Sequence, residues 1–209
     1  SVGDYNITTT YSGDAKYDSM TKKGNVTVIP NMNVNLDVSD VEMFYHDGTR
    51  LIAKLTDFQG KPIVNATIYF SINGVIYAKT TDANGTASMG LNLDSNVYPV
   101  TVTYNGSAFY SKISKNITVT INSSIIADDL VKMYQNATRF YAKFIGSDGK
   151  VLANTQVRFN IHGVFYTKTT NNDGVADLGI MLRPGTYILT AYNPVTGEQQ
   201  GFNITVKSL

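Results

Sequence analysis

The sequence predicts an all-β protein built from tandem β-sandwiches, and its composition, a long internal repeat and the spacing of its turns support that fold class. Of the 209 residues, 43% are hydrophobic and 16% are charged, against about 25% charged in average soluble proteins. Tyr, Val, Ile and Thr, which strands favour, are abundant. The 17 Gly and five Pro supply turns and interrupt any long helical pattern.

The composition also excludes several classes of function. Without Cys, the chain has no disulfide framework, thiolate zinc site or cysteine nucleophile. A net charge of +1 argues against electrostatic binding of nucleic acid. No apolar run approaches the about 20 residues of a membrane-spanning helix. Because the chain begins at Ser1 rather than Met, we expect a processed protein or an excised segment, and any signal peptide or anchor would lie outside this sequence.

An internal repeat shows where the sandwiches lie. Residues 41–98 align without a gap on residues 130–187, a shift of 89 residues, with 21 identities in 58 positions. The identities include Tyr45 with Tyr134, Thr49-Arg50 with Thr138-Arg139, Gly74-Val75 with Gly163-Val164, and Lys79-Thr80-Thr81 with Lys168-Thr169-Thr170.

A partial third copy precedes the two units. Asn25–Val28 resembles both Asn116–Val119 and Asn203–Val206, which close the two full units. The sequence therefore predicts three parts: a two-strand segment over 1–30, one sandwich over 31–121 and a second over 122–209.

Each unit reads as a series of short alternating strands. Leu51, Ala53 and Leu55 fall on one face of a strand. Asn73-Gly74 predicts a type I′ hairpin turn, because both residues tolerate a positive φ, and His162-Gly163 is its weaker copy. Counting one strand near 34–45, we expect seven strands per unit, with turns about every 8–12 residues, which is typical of a sandwich.

Three tyrosines indicate how the strands are connected. Tyr5, Tyr98 and Tyr187 each open the penultimate strand of their unit. A Tyr at this place bends back and hydrogen-bonds to the backbone in the tyrosine corner of immunoglobulin-like sandwiches. The alternative is an ordinary strand Tyr on a half-buried face. The first interpretation predicts tandem immunoglobulin-like β-sandwiches.

These segments also resemble known families. Residues 60–93, centred on Thr80–Ala87, resemble the immunoglobulin-like repeats of invasin-type bacterial proteins, and Gly185–Ala191 continues the match. The whole repeat is similar to the tandem units of adhesin-like surface proteins of methanogenic archaea. The resemblance implies an exported, surface-attached protein that acts as a stalk, spacer or binding tip and has no catalytic residues.

Asn-x-Ser/Thr sequons are frequent and predict a glycosylated exterior, hence export. A competing explanation is that polar strand faces with period two produce Asn-Ile-Thr by alternation alone, which fits Asn116 and Asn203. We expect Asn84, Asn105, Asn122 and Asn136 to lie in loops. The nine candidate sites are Asn6, Asn25, Asn65, Asn84, Asn105, Asn116, Asn122, Asn136 and Asn203.

No residue pattern indicates catalysis, a cofactor or a metal site. His46 and His162 do not recur between the units, lack metal-ligand spacing and fit turn positions. Lys54 recurs in the second unit as Lys143, which would be expected of a lysine that forms an intramolecular isopeptide bond. The alternation of its strand points Lys54 outward, however, and so favours an ordinary solvated lysine. The Asp-Gly turns lack the spacing of a calcium loop.

The segment over 1–30 has three possible explanations. It is the end of a repeat from a longer array, or it adds strands to its own chain, or it completes the sheet of a neighbouring subunit by donor-strand complementation. The last alternative gives a head-to-tail filament, an organisation similar to that of archaeal thread-like pilins.

The sequence therefore favours a non-enzymatic, glycosylated extracellular stalk module of an adhesin-like cell-surface protein. One alternative is a subunit of a pilus-like filament that polymerises through residues 1–30. Another is a module that binds a glycan or a protein. The expected partners are neighbouring copies or repeats of the same protein, with a host or cell-surface glycan or protein in the last alternative. We expect no nucleic acid, no direct membrane insertion and no cofactor.

Overall fold

A computed structural model describes residues 3–29 and 32–208, and the regular elements in these ranges are all β-strands. Among the described residues, no helix is long and apolar enough to cross a bilayer. An N-terminal hairpin contains β1 (Gly3–Tyr11) and β2 (Met20–Val28). The first sandwich contains β3 (Val34–Asp37), β4 (Val41–Phe44), β5 (Arg50–Asp57), β6 (Thr67–Ile72), β7 (Val75–Thr80), β8 (Thr86–Gly90), β9 (Asn96–Tyr104) and β10 (Ile113–Asn122). The second contains β11 (Ile125–Ile126), β12 (Leu130–Met133), β13 (Arg139–Phe144), β14 (Gln156–Ile161), β15 (Val164–Thr169), β16 (Val175–Gly179), β17 (Gly185–Tyr192) and β18 (Gln199–Lys207).

Both sandwiches have the same strand order. A three-stranded sheet, β3-β5-β8 or β11-β13-β16, faces a five-stranded sheet, β4-β10-β9-β6-β7 or β12-β18-β17-β14-β15. Neighbouring strands are antiparallel except β4 with β10 and β12 with β18, which are parallel. This order is that of an immunoglobulin-like sandwich. The predicted all-β fold class is confirmed.

The prediction of one strand near 34–45 is wrong, because this segment divides between the two sheets. β3 pairs with β5 and β4 pairs with β10. The chain crosses from one sheet to the other at Val38–Asp40, where the ladder must break and its polar groups need other partners. Asp40 Oδ1 accepts the backbone N–H of Thr118 (2.8 Å), and Lys115 Nζ donates to the Val38 carbonyl (2.7 Å). Each unit therefore has eight strands.

Each sandwich buries its own apolar core between its sheets. In the first, Leu51, Ala53 and Leu55 of β5 are fully buried, as their alternation predicts, and they belong to the same core as Ile68 and Phe70 of β6. Burying one such large side chain contributes about 1.5–3 kcal/mol. The second core relies more on phenylalanine, with Phe140, Phe144, Phe159 and Phe202 buried together.

Strand pairing corrects one match made from the sequence. Tyr5 lies opposite Val26 and Tyr187 lies opposite Ile204, but Tyr98 lies opposite Val119. Measured from the residue opposite the tyrosine, the Asn-x-Thr of Asn116 therefore lies two residues earlier in its strand than those of Asn25 and Asn203, with which the sequence comparison matched it. A two-residue slip keeps every side chain on its original face, so alternation alone does not reveal it.

The expected hairpin turns are confirmed. Asn73 and Gly74 have φ values of 49° and 74°, and His162 and Gly163 have 50° and 79°. These positive values are those that a type I′ turn requires. His46 also lies at a turn position with a φ of 55°.

Candidate functional site

The connection between the two sandwiches is very short. β10 ends at Asn122 and β11 begins at Ile125, so only Ser123 and Ser124 lie between them. With two connecting residues, the loops of both sandwiches that flank the connection are brought close to it. We call the polar groups that meet there the junction; they comprise Ser95, Ser123, Ser124, Asn193, Thr196, Glu198 and Gln200.

Glu198 lies at the centre of the junction. It belongs to the loop between β17 and β18, and its side chain is buried (3% exposed). Its Oε1 accepts a hydrogen bond from the Ser95 hydroxyl of the first sandwich (2.6 Å). Its Oε2 accepts the backbone N–H (2.5 Å) and the hydroxyl (2.7 Å) of Ser124. The Glu198 side chain thus joins both sandwiches and the connection. Its bonds are strong, because hydrogen bonds to a carboxylate are about twice as strong as those between neutral groups.

Asn193 and Gln200 hold the two connecting serines. The buried Asn193 amide donates to the Ser124 carbonyl (3.2 Å), the Ser124 hydroxyl (3.0 Å) and the Ile145 carbonyl (2.8 Å). Ser123 donates its hydroxyl to Gln200 Oε1 (2.6 Å). Among the described residues, no buried side-chain nitrogen or oxygen lacks a hydrogen-bond partner. The junction is therefore a satisfied polar network, the kind that fixes one geometry.

Apolar contacts add to the junction. The Phe44 ring of the first sandwich packs on Gly149 of the second, where an added Cβ would lie 2.8 Å from the ring. Gly149 also has a φ of 74°, so both space and backbone conformation require glycine. Burial, followed by the charges of Asp94 and Glu198, raises the pKa of the Tyr45 phenol next to Phe44.

The first strand of each five-stranded sheet, β4 or β12, pairs in parallel with the last strand of its sandwich. Val41 lies opposite Val119 and Leu130 lies opposite Ile204. One further backbone bond extends each ladder, from the Tyr45 N–H to the Asn122 carbonyl (3.0 Å) and from the Tyr134 N–H to the Lys207 carbonyl (2.8 Å). The second strand of each sandwich, β4 or β12, is thus hydrogen-bonded directly to the strand from which the chain leaves.

Two of the three predicted corner tyrosines bend back onto the backbone. The Tyr98 hydroxyl donates to the Asp94 carbonyl (2.8 Å), and the Tyr187 hydroxyl donates to the Arg183 carbonyl (2.9 Å). Each bond spans four residues, the local geometry of a tyrosine corner. Tyr5 opens β1 of the hairpin, where its side chain is 41% exposed.

The N-terminal hairpin has one apolar face that the described residues leave exposed. β1 and β2 form a sheet of their own and join neither sandwich. The alternative in which these strands extend a sheet of their own chain is therefore wrong. The exposed apolar side chains of this face are Tyr5, Ile7, Tyr11, Met20, Val26 and Val28, whereas Tyr98, Val100 and Val119 on β9 and β10 are buried.

The opposite face of the hairpin is polar. Asn6 and Asn25, both in sequons, lie directly opposite one another on it. The hairpin therefore has the two-faced pattern of β9 and β10, which have a core on one side only.

The predicted glycosylation sites lie at the surface with one exception. Asn65, Asn84, Asn105 and Asn136 lie in exposed turns or loops, and Asn6, Asn25, Asn116 and Asn203 lie on exposed strand positions. The expectation that Asn122 lies in a loop is wrong: it is the half-buried last residue of β10, and its Nδ2 donates to Glu42 Oε1 (3.0 Å). Asn122 stays in the strand because its carbonyl also accepts the Tyr45 N–H of the neighbouring segment (3.0 Å). Occupancy of the nine sites stays a prediction.

Lys132 is a buried cation that sequence reasoning missed. It is 5% exposed and occupies the position of Met43 in the aligned first unit. Its Nζ donates to the carbonyls of Asn136 (2.8 Å), Thr138 (3.2 Å) and Ile180 (2.7 Å). The sequence did contain a signal for this buried lysine: at the aligned position, Met43 of the first unit is replaced by Lys132 in the second. Lys54, in contrast, is exposed as predicted.

Comparisons with known proteins give only distant likenesses. No protein-family model matches the sequence, and no curated protein matches it. A solved structure of a bacterial ice-binding adhesin is 15% identical, with 100% of this chain and 76% of that chain covered and a TM-score of 0.39. The fibronectin(III)-like modules of Clostridium thermocellum CbhA are 17% identical, with 84% and 94% covered and a TM-score of 0.29. Three immunoglobulin domains of titin are 10% identical, with 100% and 75% covered and a TM-score of 0.35. Because these scores are low, the fold assignment rests on the strand order.

Proposed function

We propose that this chain is an extracellular, glycosylated stalk module of an adhesin-like surface protein, in which two sandwiches act as a load-bearing spacer. The division into 1–30, 31–121 and 122–209 is part of the proposal. The observation that carries it is the parallel pairing of the first and last strands of each five-stranded sheet, β4 with β10 and β12 with β18, where the last strand is also the one from which the chain leaves the sandwich.

Parallel pairing determines how tension acts on a sandwich. The chain passes through β3 of the other sheet, reaches the amino end of β4, and finally leaves the sandwich from the carboxyl end of β10; β4 and β10 run in the same direction. A pull on the chain ends therefore slides the strands past one another and loads their hydrogen bonds together. Antiparallel terminal strands would be peeled apart one bond at a time. The same geometry recurs in β12 and β18.

The junction supports a spacer of fixed geometry. Glu198 receives hydrogen bonds from the first sandwich and from the connection. The connection itself has only two residues, too few to act as a flexible linker. A force applied to one sandwich is then transmitted to the next, and the length of the two-sandwich spacer is set by the fold.

Glycosylation belongs to the same proposal. Eight of the nine sequon asparagines are exposed, so an oligosaccharide transferase reaches their Nδ2 atoms without unfolding a sandwich. Glycans at these sites would cover a surface that has few charges. Intact-mass measurement of protein from its native source, before and after chemical deglycosylation, tests this part of the proposal; an unmodified mass contradicts it.

Force spectroscopy of single molecules tests the mechanical role. The wild-type chain should give two unfolding peaks, each releasing roughly 30 nm of chain at about 0.36 nm per residue. Tyr45→Pro removes the N–H that bonds to Asn122 and should lower the force of one peak only. Tyr45→Ala is the matched control, because it removes the same ring but keeps the N–H. Equal peak forces in the two variants would overturn the proposal.

A second candidate function is head-to-tail assembly through the hairpin, favoured by its exposed apolar face. An isolated hairpin is marginally stable in water. Packing of its apolar face against strands of a neighbouring copy would bury that face and stabilise the hairpin. Light scattering of the full chain should then show multimers that Ile7→Asp dissolves, while Thr8→Asp on the polar face has no effect. A wild-type monomer of 22.8 kDa at all concentrations would contradict this candidate and leave the stalk proposal intact.

A further inference from the structure

An arginine packs against two neighbouring aromatic rings on the outer face of the second sandwich. Arg158 of β14 is paired with Tyr192 of β17, and its neighbour on that face, Asn160, is paired with Phe165 of β15. Val157 and Phe159 point into the core. Arg158, Phe165 and Tyr192 therefore share the outer surface of the five-stranded sheet.

The rings hold the guanidinium in place. Arg158 Cζ lies 4.5 Å from the ring centre of Phe165 and 5.5 Å from that of Tyr192. The two rings are themselves 5.9 Å apart. Cation–π contact with two rings restrains an arginine side chain, and the N–H groups that do not face the rings stay available for hydrogen bonds.

No acidic side chain of the described residues pairs with Arg158. The ion pairs in residues 3–29 and 32–208 join Arg139 to Asp177 and Lys150 to Asp148. Arg139, on the other sheet of the same sandwich, thus has the carboxylate partner that Arg158 lacks. A positioned guanidinium without a counter-ion is suited to a carboxylate or sulfate group from outside.

A cleft adjoins this arginine. It has a volume of ≈ 360 Å³ and is lined by Gln156, Arg158, Tyr192, Pro194 and Gln199. The two glutamine amides provide donors and acceptors, and Tyr192 and Pro194 provide apolar surface. This combination suits a sugar ring, which has an apolar face, hydroxyl groups at its edge and, in acidic sugars, one anionic group.

The first sandwich lacks the arrangement. The positions aligned with Gln156, Arg158, Phe165 and Tyr192 hold Thr67, Tyr69, Ile76 and Thr103. Outward-facing strand positions are not constrained by the core, so the fold does not require this cluster in the second unit. The first sandwich therefore serves as an internal comparison that has the same scaffold and no guanidinium at the aligned position, which holds Tyr69.

We propose that the Arg158 cleft binds an anionic sugar residue, a uronic acid or a sulfated sugar, of an acidic polysaccharide. The carboxylate or sulfate accepts hydrogen bonds from the Arg158 edge, the ring stacks on Tyr192, and Gln156 and Gln199 bond to hydroxyls. The site is independent of the mechanical role, since a stalk functions with or without it.

Titration of the full chain with trigalacturonate, a sulfated galactose trisaccharide and neutral galactotriose tests the site. We expect the backbone amide signals of β14, β17 and the loop after β17 to shift with one or both anionic sugars and not with the neutral one. Arg158→Gln should weaken binding by about tenfold or more, as expected for loss of a charged hydrogen bond. Arg139→Gln is the control and should bind as the wild type does.

Folding of each variant is checked by its amide spectrum. If Arg158→Gln does not fold, Arg158→Lys keeps the charge but loses the planar stacking, and it should bind several-fold more weakly. The proposal is overturned if neither anionic sugar binds, if galactotriose binds equally well, if Arg158→Gln binds like the wild type, or if oligoglutamate shifts the same signals with equal affinity.

Discussion

Glu198 of the second sandwich accepts a 2.6 Å hydrogen bond from the hydroxyl of Ser95 in the first. The two residues are 103 positions apart in the chain, and the carboxylate is buried. The same carboxylate binds the backbone of Ser124 in the connection. One buried side chain thus contacts both sandwiches and the connection between them.

Replacing Glu198 tests how much these contacts stabilise the protein. Glu198→Ala leaves the Ser124 N–H and the Ser95 hydroxyl without their partner, so we expect a loss of about 2–3 kcal/mol in the free energy of unfolding. Glu42→Ala is the control, because Glu42 lies near the end of the connection but is exposed. Chemical denaturation measures both; equal stabilities would contradict the assigned role of Glu198.

The corner tyrosines should contribute through their hydroxyls. Tyr98→Phe and Tyr187→Phe each remove one hydrogen bond to a carbonyl and should cost about 1 kcal/mol. The cost should be larger for Tyr98, which is 8% exposed, because its hydrogen bond is partly buried whereas that of Tyr187 is exposed to water. Tyr141→Phe, on an exposed position of β13, is the control. A Tyr98→Phe variant as stable as this control would exclude a stabilising corner.

Lys132 should stabilise the second sandwich through its charge. Lys132→Met restores the residue found at the aligned position of the first unit but leaves three carbonyls without a charged donor. We expect a loss of about 2–3 kcal/mol, measured by urea denaturation. Lys143→Met, on the outward side of β13, should change stability little. A Lys132→Met variant that is as stable as the wild type would show that apolar burial alone suffices.

Asp129 should titrate at unusually low pH. Hydrogen bonds from the Asn203 side chain (2.9 Å) and then from the Asn203 backbone N–H (2.7 Å) lower the pKa of its carboxyl group. Because the folded-state pKa is lowered, the resulting stabilisation is present at neutral pH and is lost as the pH falls through that pKa. Asn203→Ala should raise the pKa of Asp129 part of the way to its ordinary value, as followed by carboxyl NMR. Asn116→Ala should not raise it, and an unchanged pKa in Asn203→Ala would contradict the assignment.

The hairpin should be dispensable for the sandwiches. It forms a separate sheet, so a chain that begins at Met32 keeps both cores and the bond from the Ser111 N–H to the Met32 carbonyl. We expect its melting temperatures to equal those of the full chain at low protein concentration. A clear decrease would mean that the hairpin packs on a sandwich.

The sequence was sufficient for the fold class because its signals are local and repeated. The alternation of Leu51, Ala53 and Leu55 and the positive-φ turn at Asn73-Gly74 follow from neighbouring residues alone. The repeat then showed that the same pattern occurs twice. These features depend on no contact distant in the chain.

Other features depend on long-range pairing and were missed or misplaced. Asp40, the last residue of the crossing from β3 to β4, is held by a hydrogen bond from Thr118, 78 residues away. The two-residue displacement of Asn116 leaves the alternation unchanged. Glu198 lies in a loop whose length differs between the units, so comparison of the repeats offered no counterpart for it. Arg158 was missed because a single outward-facing charge is ordinary in a strand until its ring neighbours are known.

Residual dipolar couplings test the central claim, that the two sandwiches form one stalk of fixed geometry, most directly. In weakly aligned wild-type protein, the couplings of residues 34–122 and of residues 125–207 should fit one common alignment tensor. Glu198→Ala should separate the two sets into different tensors. Independent tensors in the wild type, with the weaker alignment expected for freely moving units, would contradict the claim.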